Sequence, residues 1–316
     1  MRGNKRRIAR RARVNTPAAG REQGPFKRDA MQTTISSLFE IVDAYDGLLF
    51  DAYGVLVDDT RLIPGAASVW ESLKKRGVPC WILTNGSART LEETVANYAA
   101  KGLLVQAEHV INSASLLKAY FLEKGLQGKK TAVMGTAGSR RYVLDAGGHI
   151  VDPLSGDFEV LVVANQTDYP LLETMEAVLS TVLARIARGV SVHLILTNPD
   201  LIYPKDGQRF GITAGSVALV LEQALRARHG TQAPVFDRLG KPHARIFAEA
   251  VRRAGSRRLL MIGDQLETDV RGARDFGLDS LLIGTGLIPA AVLSAPLDPE
   301  PTYVLASWEL SCSSSL

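Results

Sequence analysis

Only two of the 316 residues are cysteine, Cys80 and Cys312. A disulfide framework is therefore excluded, and a reducing cytoplasm is the natural compartment. No apolar stretch approaches the roughly 20 residues of a membrane-spanning helix, so no membrane association is expected. The five histidines show no ligand spacing, and no Cys/His cluster marks a zinc site. Gly135-Thr136-Ala137-Gly138-Ser139-Arg140-Arg141 is glycine-rich and basic but lacks the Gly-Lys-Ser/Thr ending of a phosphate-binding P-loop, and reads as a plain loop. Gly284-Thr285-Gly286 lacks the third glycine of a dinucleotide fingerprint. No internal repeat is present.

What is present is an ordinary globular composition, 46% hydrophobic, long enough for one large or two modest domains. The net charge of +4 is misleading, because residues 1–30 hold ten Lys or Arg against Glu22 and Asp29. Without that arm the chain carries a net of −4. A clustered basic arm can bind nucleic acid or an anionic surface, but a nucleic-acid role would rest on the arm alone. The arm has few bulky apolar residues and is expected to be a disordered, dispensable extension, with the functional chain starting at Met31.

The chemistry is concentrated where apolar runs stop. Gly47-Leu48-Leu49-Phe50 ends at Asp51, then turns through Gly54. Such a run reads as a buried parallel strand that delivers a carboxylate to the C-terminal edge of a sheet, where open α/β sheets bind ligands. A carboxylate there can act as a covalent nucleophile. A second run, Cys80 to Leu83, ends in Thr84, Asn85, Gly86 and Ser87. Lys241 stands alone between Gly240 and Pro242, just before a helical segment. A third run, Leu259 to Ile262, ends in Gly263 and Asp264, with Asp269 following. Acid, hydroxyl, lysine and an acid pair make a kit for phosphoryl transfer. In that kit Asp51 attacks, Thr84 and Asn85 hold phosphoryl oxygens, and Lys241 neutralises charge. Asp51, Asp264 and Asp269 form a hard oxygen set suited to Mg²⁺.

These motifs, in this order, resemble the haloacid dehalogenase superfamily, subclass IIA, the group similar to NagD and 4-nitrophenylphosphatases. The resemblance spans roughly Tyr45 to Gly286 and rests on Asp51-Ala52-Tyr53-Gly54-Val55-Leu56, Leu83-Thr84-Asn85, Gly240-Lys241-Pro242 and Gly263-Asp264-Gln265-Leu266-Glu267-Thr268-Asp269. It implies a Mg²⁺-dependent hydrolase of a small phosphorylated metabolite, with Mg²⁺ on Asp51, the Tyr53 backbone carbonyl, Asp264 and Asp269. It also implies phosphoryl contacts from Thr84, Asn85 and the Gly86 and Ser87 amides. Family phosphatases carry a second Asp where this chain has Tyr53, so their general acid/base is missing. Asp58 and Asp59 are the nearby acids, and both read as solvated. True haloacid dehalogenases resemble Asp-x-Tyr-Gly at this point and use no metal, but they depart from the Asp264 and Asp269 motif. Metal-free dehalogenation and a non-catalytic phosphometabolite-binding protein are thus the alternatives.

Pro64-Gly65 to Gly77, Thr90 to Gly102, and Pro242 to Gly255 read as helices, and helical signals follow Asp269 up to Gly277. Strand and helix in alternation argue a doubly wound parallel α/β sheet. Residues 31–104 and 234–306 would form that core. Residues 105–233, with strands at Thr131–Met134, Val160–Val163 and Val190–Leu196, are too long for a loop and read as an inserted α/β cap domain. The resemblance makes it a type-2 cap, compatible with a homodimer through the cap. Gly135 to Arg141 then becomes a cap loop, and the second Leu-Thr-Asn, at Leu196-Thr197-Asn198-Pro199-Asp200, supplies Asn198 and Asp200 to a substrate loop. The Ser-rich stretch 307–316 is expected to fray.

Overall fold

Alternation inside the apolar runs decides the architecture. The computed structural model describes residues 32–206 and 209–309. The basic arm, Cys312 and the tail beyond Glu309 lie outside them. The strands are β1 (Thr33–Thr34), β2 (Gly47–Phe50), β3 (Cys80–Thr84), β4 (Val110–Asn112), β5 (Lys130–Met134), β6 (His149–Val151) and β7 (Val160–Val163). They continue with β8 (His193–Leu196), β9 (Ile202–Asp206), β10 (Arg209–Ile212), β11 (Asp237–Arg238), β12 (Leu259–Gly263), β13 (Asp279–Ile283) and β14 (Tyr303–Leu305). The helices are α1 (Ala66–Lys75), α2 (Leu91–Ala100), α3 (Leu117–Lys124), α4 (Ala137–Asp145), α5 (Leu171–Ala187), α6 (Ala214–His229), α7 (Ala244–Ala254) and α8 (Arg271–Phe276).

A seven-stranded sheet runs in the order β1-β14-β13-β12-β2-β3-β4, with every pair parallel. Leu48, Phe50, Ile82, Leu260 and Ile262 face one side, against Val69, Trp70 and Leu73 of α1. Leu49, Trp81, Leu83 and Met261 face the other, against α3 and α7. Burial on both faces explains why these runs are apolar throughout rather than alternating with polar residues. Cys80 sits in this core, and burial pushes its thiol up to about 12, as expected for an inert thiol.

A second, five-stranded sheet runs β11-β8-β7-β5-β6, again all parallel, with β9 and β10 as a separate antiparallel pair. Its outer face packs on α5 and α6 through Val178, Val182, Val217 and Leu221. Its inner face, with Val133, Val160, Val162 and Ile195, belongs to the same apolar cluster as Leu49 and Leu83 of the larger sheet. The fold is thus a doubly wound parallel α/β core with a second α/β layer inserted between β4 and β12.

Several sequence expectations shift. Val110–Asn112 joins the larger sheet, and Asp237–Arg238 the smaller one, each on the other side of the expected boundary. The strand expected from Val190 begins at His193, where the pairing with β7 starts at its first residue, Val160. Gly135 to Arg141 is a helix start rather than a loop: Thr136 caps α4, accepting from the Ser139 amide. The helix expected after Asp269 begins sooner, with a wide turn over Leu266–Val270 that leads into α8. The tail does not fray at 307. Trp308 is fully buried against Phe50, and its indole N–H donates to the Val55 carbonyl at 2.7 Å. Trp308→Ala should cost about 3–5 kcal/mol, read as a shift in the urea unfolding midpoint. Unaltered stability would show that this end of the chain does not belong to the core.

Candidate active site

The two central strands place the acids. Phe50 lies opposite Ile262, and the Asp51 amide donates to the Ile262 carbonyl at 2.8 Å. Asp51 after β2 and Asp264 after β12 therefore emerge side by side. From β2 the sheet continues to β3 and β4, and from β12 it continues the other way to β13 and β14. That divergence opens the crevice at which such sheets bind ligands.

Four charged side chains meet there, each at most 6% exposed: Asp51, Lys241, Asp264 and Asp269. Lys241 Nζ lies 2.8 Å from Asp51 Oδ1 and 2.6 Å from Asp269 Oδ1. Asp51 Oδ1 also accepts from the Ala52 amide at 2.7 Å. Burial opposes the Lys241 charge, but Asp269, Asp51 and Asp200 outweigh it and hold the ammonium above its ordinary range. Burial pushes Asp269 up to about 7 against the pull of Lys241. Asp264 is pushed well above the carboxylate range by burial and by the neighbouring Asp51 and Asp269. One lysine does not balance these carboxylates.

Donor chemistry in the cluster fits a small divalent cation. Carboxylate oxygens of Asp51, Asp264 and Asp269 lie within 4.8 Å of one another. Asp264 Oδ2 accepts from the Leu287 amide at 2.7 Å, while Oδ1 is buried with no hydrogen-bond partner among the described residues. Such an acceptor is costly unless a cation takes it up. The Tyr53 carbonyl accepts no described hydrogen bond. Gly54 and Gly286 close around Asp264: a Cβ on Gly286 would stand 1.9 Å from Oδ2, and one on Gly54 would stand 2.4 Å away at a positive φ of 84°. Gly286, set aside in the sequence as half a dinucleotide motif, is thus required for close approach to an acid.

The 84–89 segment differs from expectation. The Thr84 hydroxyl oxygen accepts from the Gly86 amide at 3.1 Å and keeps its own proton to donate. The Asn85 side chain is already engaged: Oδ1 accepts from the Lys241 amide at 2.7 Å, and Nδ2 donates to the Lys241 carbonyl and to Asp200 Oδ1. The Ser87 hydroxyl donates to the Ala164 carbonyl at 2.5 Å, and the Ser139 hydroxyl to the Ser87 carbonyl at 2.8 Å. Thr136 donates to the Ala88 carbonyl and Tyr142 to the Arg89 carbonyl. This segment is a hydrogen-bonded seam between the two sheets, and the Asn85 and Ser87 side chains serve the seam.

Asn198 Oδ1 accepts from the Asp200 amide at 3.0 Å, which caps the loop. Asp200 meets Asn85 from the far side of the seam. Burial pushes it up to about 6, against the pull of Lys241 and the Asn85 hydrogen bond. Both residues border a cavity of about 940 Å³ that also reaches Asp51, Tyr53, Thr84 and Asp264. The Tyr53 ring lies 5.3 Å beneath the Lys101 ammonium. Asp58 is occupied in a turn: against the effect of burial, the Thr60 and Arg61 amides hold it below the carboxylate range. Asp59 is exposed at the cavity border. Arg89 and Lys101, both on the cavity wall, escaped the sequence reading. They flank α2 at its two ends, and Glu93 and Asn97 of the helix border the cavity between them.

A family model described as haloacid dehalogenase-like hydrolase matches residues 48–149, and a related one matches residues 238–310. Chronophin of Homo sapiens is 30% identical over 268 residues, covering 80% of this chain and 85% of that protein. Dihydroxyacetone phosphatase of Corynebacterium glutamicum is 29% identical over 262 residues, covering 82% of this chain and 88% of that protein. Among solved structures, a "possible sugar phosphatase, HAD superfamily" from Cytophaga hutchinsonii superposes with a TM-score of 0.76 at 26% identity, covering 88% of this chain and 99% of that one.

Proposed function

The chain belongs to the haloacid dehalogenase superfamily of hydrolases, subclass IIA, and from that premise we propose that it is a Mg²⁺-dependent phosphomonoesterase working through an aspartyl-phosphate on Asp51. The observation that carries this reading is the buried Asp51–Lys241–Asp269 chain beside the unpartnered Asp264 Oδ1. Small phosphorylated metabolites are the substrate class, in keeping with relatives named for phosphatase activity on such compounds. The seven-stranded sheet acts as the catalytic core, and the inserted five-stranded sheet with its helices acts as the cap.

Asp51, the Tyr53 carbonyl and Asp264 would hold Mg²⁺. When bound, the ion offsets the negative charge of phosphoryl group and carboxylates. Asp269 has Oδ1 on Lys241 and Oδ2 on the Gln265 amide, so its part is to fix the lysine and add charge. Lys241 and the Ala52 amide orient Asp51 by holding Oδ1, and Oδ2 receives no hydrogen bond among the described residues. That oxygen attacks phosphorus as the ester oxygen leaves in line. The Thr84 hydroxyl and the Ser87 amide donate to phosphoryl oxygens, with Lys241 neutralising the charge that develops. Water then attacks phosphorus and releases phosphate, which returns Asp51 as a carboxylate.

Tyr53 is the weak point of this cycle. A phenol supplies no carboxylate to activate water, and an alkoxide leaving group receives no carboxylic acid's proton. Aryl phosphates should therefore react better than alkyl ones. Tyr53→Asp is expected to raise kcat for glycerol 3-phosphate by about 10²-fold, and to raise it for p-nitrophenyl phosphate through faster hydrolysis of the covalent intermediate. Flat or reduced turnover of the alkyl ester would remove the acid/base role assigned to this position. Tyr53 also motivates the dehalogenase alternative, yet that chemistry leaves Asp264 Oδ1 as a buried acceptor without use.

A phosphate-ester panel tests the function. With Mg²⁺, p-nitrophenyl phosphate should be hydrolysed. EDTA should abolish the activity and excess Mg²⁺ restore it. Binding without turnover across the panel would select the non-catalytic phosphometabolite-binding protein. Halide release from a 2-haloacid in EDTA would select the dehalogenase.

A further inference from the structure

The α2 wall of the cavity carries charge that the phosphoryl chemistry does not use. Arg89 precedes the helix cap Thr90, Lys101 closes the helix, and both border the cavity with Glu93 and Asn97. Glu93 is committed to the helix end: Oε2 accepts from the Thr90 amide at 2.8 Å in a capping box. Arg89 is exposed, and its guanidinium has no hydrogen bond or ion pair among the described residues. Lys101 donates to the Asp58 carbonyl and covers the Tyr53 ring, but it pairs with no carboxylate among the described residues. Burial and the Arg89 charge both weigh against the Lys101 ammonium, with Asp59 and Asp58 acting the other way. Two like charges bordering one cavity are mutually unfavourable, and no ion pair among the described residues depends on either. The wall contributed by residues 165–167 and Asn198 offers amides and a hydroxyl, and no cation. Asp59 and Asp168 also border the cavity, and neither pairs with Arg89.

We infer that Arg89 and Lys101 form a subsite for a second anionic group of the substrate, a carboxylate or a second phosphoryl, on the α2 wall beside the reacting phosphoryl. The inference rests on the phosphomonoesterase reading and narrows its substrates to metabolites with two acidic groups. An arginine fork matches either oxyanion with paired N–H donors, and a lysine adds a point charge from a second direction. The cavity, at about 940 Å³, has room for both ends of such a molecule.

Matched substrates test it. The carboxylate arm compares 3-phosphoglycerate with glycerol 3-phosphate, and the phosphoryl arm compares fructose 1,6-bisphosphate with fructose 1-phosphate. In at least one arm, wild-type kcat/KM should favour the doubly acidic member by about tenfold or more. Arg89→Ala should erase most of that ratio, chiefly through KM, and Lys101→Met should reduce it. The ratio should also fall as salt rises, because the Arg89 guanidinium is exposed. A wild-type ratio near one in both arms, or an Arg89→Ala variant that loses equally on both members of a pair, overturns the subsite and leaves the phosphatase reading standing. Should no phosphomonoester turn over, the phosphatase reading fails. The same pairs are then compared by calorimetric binding to wild type and Arg89→Ala, where equal affinities overturn the subsite and an anion preference lost in the variant supports it.

Discussion

Asp51→Asn is expected to lower kcat on p-nitrophenyl phosphate by roughly 10⁴-fold or more, with little effect on the fold. The amide keeps the shape of the carboxylate, and its Oδ1 can still accept from the Ala52 amide and Lys241 Nζ, which now hold it at 2.7 Å and 2.8 Å. What it loses is nucleophilicity and a negative charge. The variant should fold and still bind phosphate. Steady-state kinetics beside circular dichroism separate the two effects. Retained turnover within about tenfold of wild type would be too small a loss for removal of a covalent nucleophile.

Lys241→Met should affect stability and activity together. The ammonium is 1% exposed and lies between two buried carboxylates. Removing one partner of a buried ion pair leaves the other charge uncompensated, at a cost on the order of 3–5 kcal/mol. Urea unfolding reads that loss, and turnover should fall with it because the charge on the phosphoryl group is no longer met. The double variant Lys241→Met/Asp269→Asn separates the causes. Neutralising Asp269 should recover much of the stability and none of the activity. If the double variant is no more stable than the single one, Asp269 is not the charge that Lys241 compensates.

The strand ends were legible because a continuous apolar run that stops at an acid leaves few physical options. The runs that end at Phe50 and Ile262 are buried on both faces of a sheet, so Asp51 and Asp264 emerge at its edge wherever the neighbours lie. Lys241 was readable only in company, as the cation that two such acids need. Asn85 reads as a phosphate ligand because it follows Thr84, but its side chain is claimed by a backbone that arrives 156 residues later. No local pattern carries that information. Ser87 is hidden in the same way by Ala164, and the Gly135 to Arg141 segment by the carbonyls of Ser87 and Ala88. Trp308 sits in a polar stretch that argues for a frayed end, and only the pocket between Phe50 and Gly65 overrides that composition. Gly286 looked like an incomplete motif because its role, to let Asp264 approach, has no sequence period at all.

The most direct measurement is mass spectrometry of the Asp51-containing peptide after acid quench of the enzyme turning over p-nitrophenyl phosphate with Mg²⁺. A poor base at position 53 slows release of the covalent intermediate, so a phosphoryl adduct that hydroxylamine removes should accumulate on Asp51 and fade in Tyr53→Asp. Turnover with no adduct on Asp51 in either protein, or with an adduct on another residue, contradicts the account.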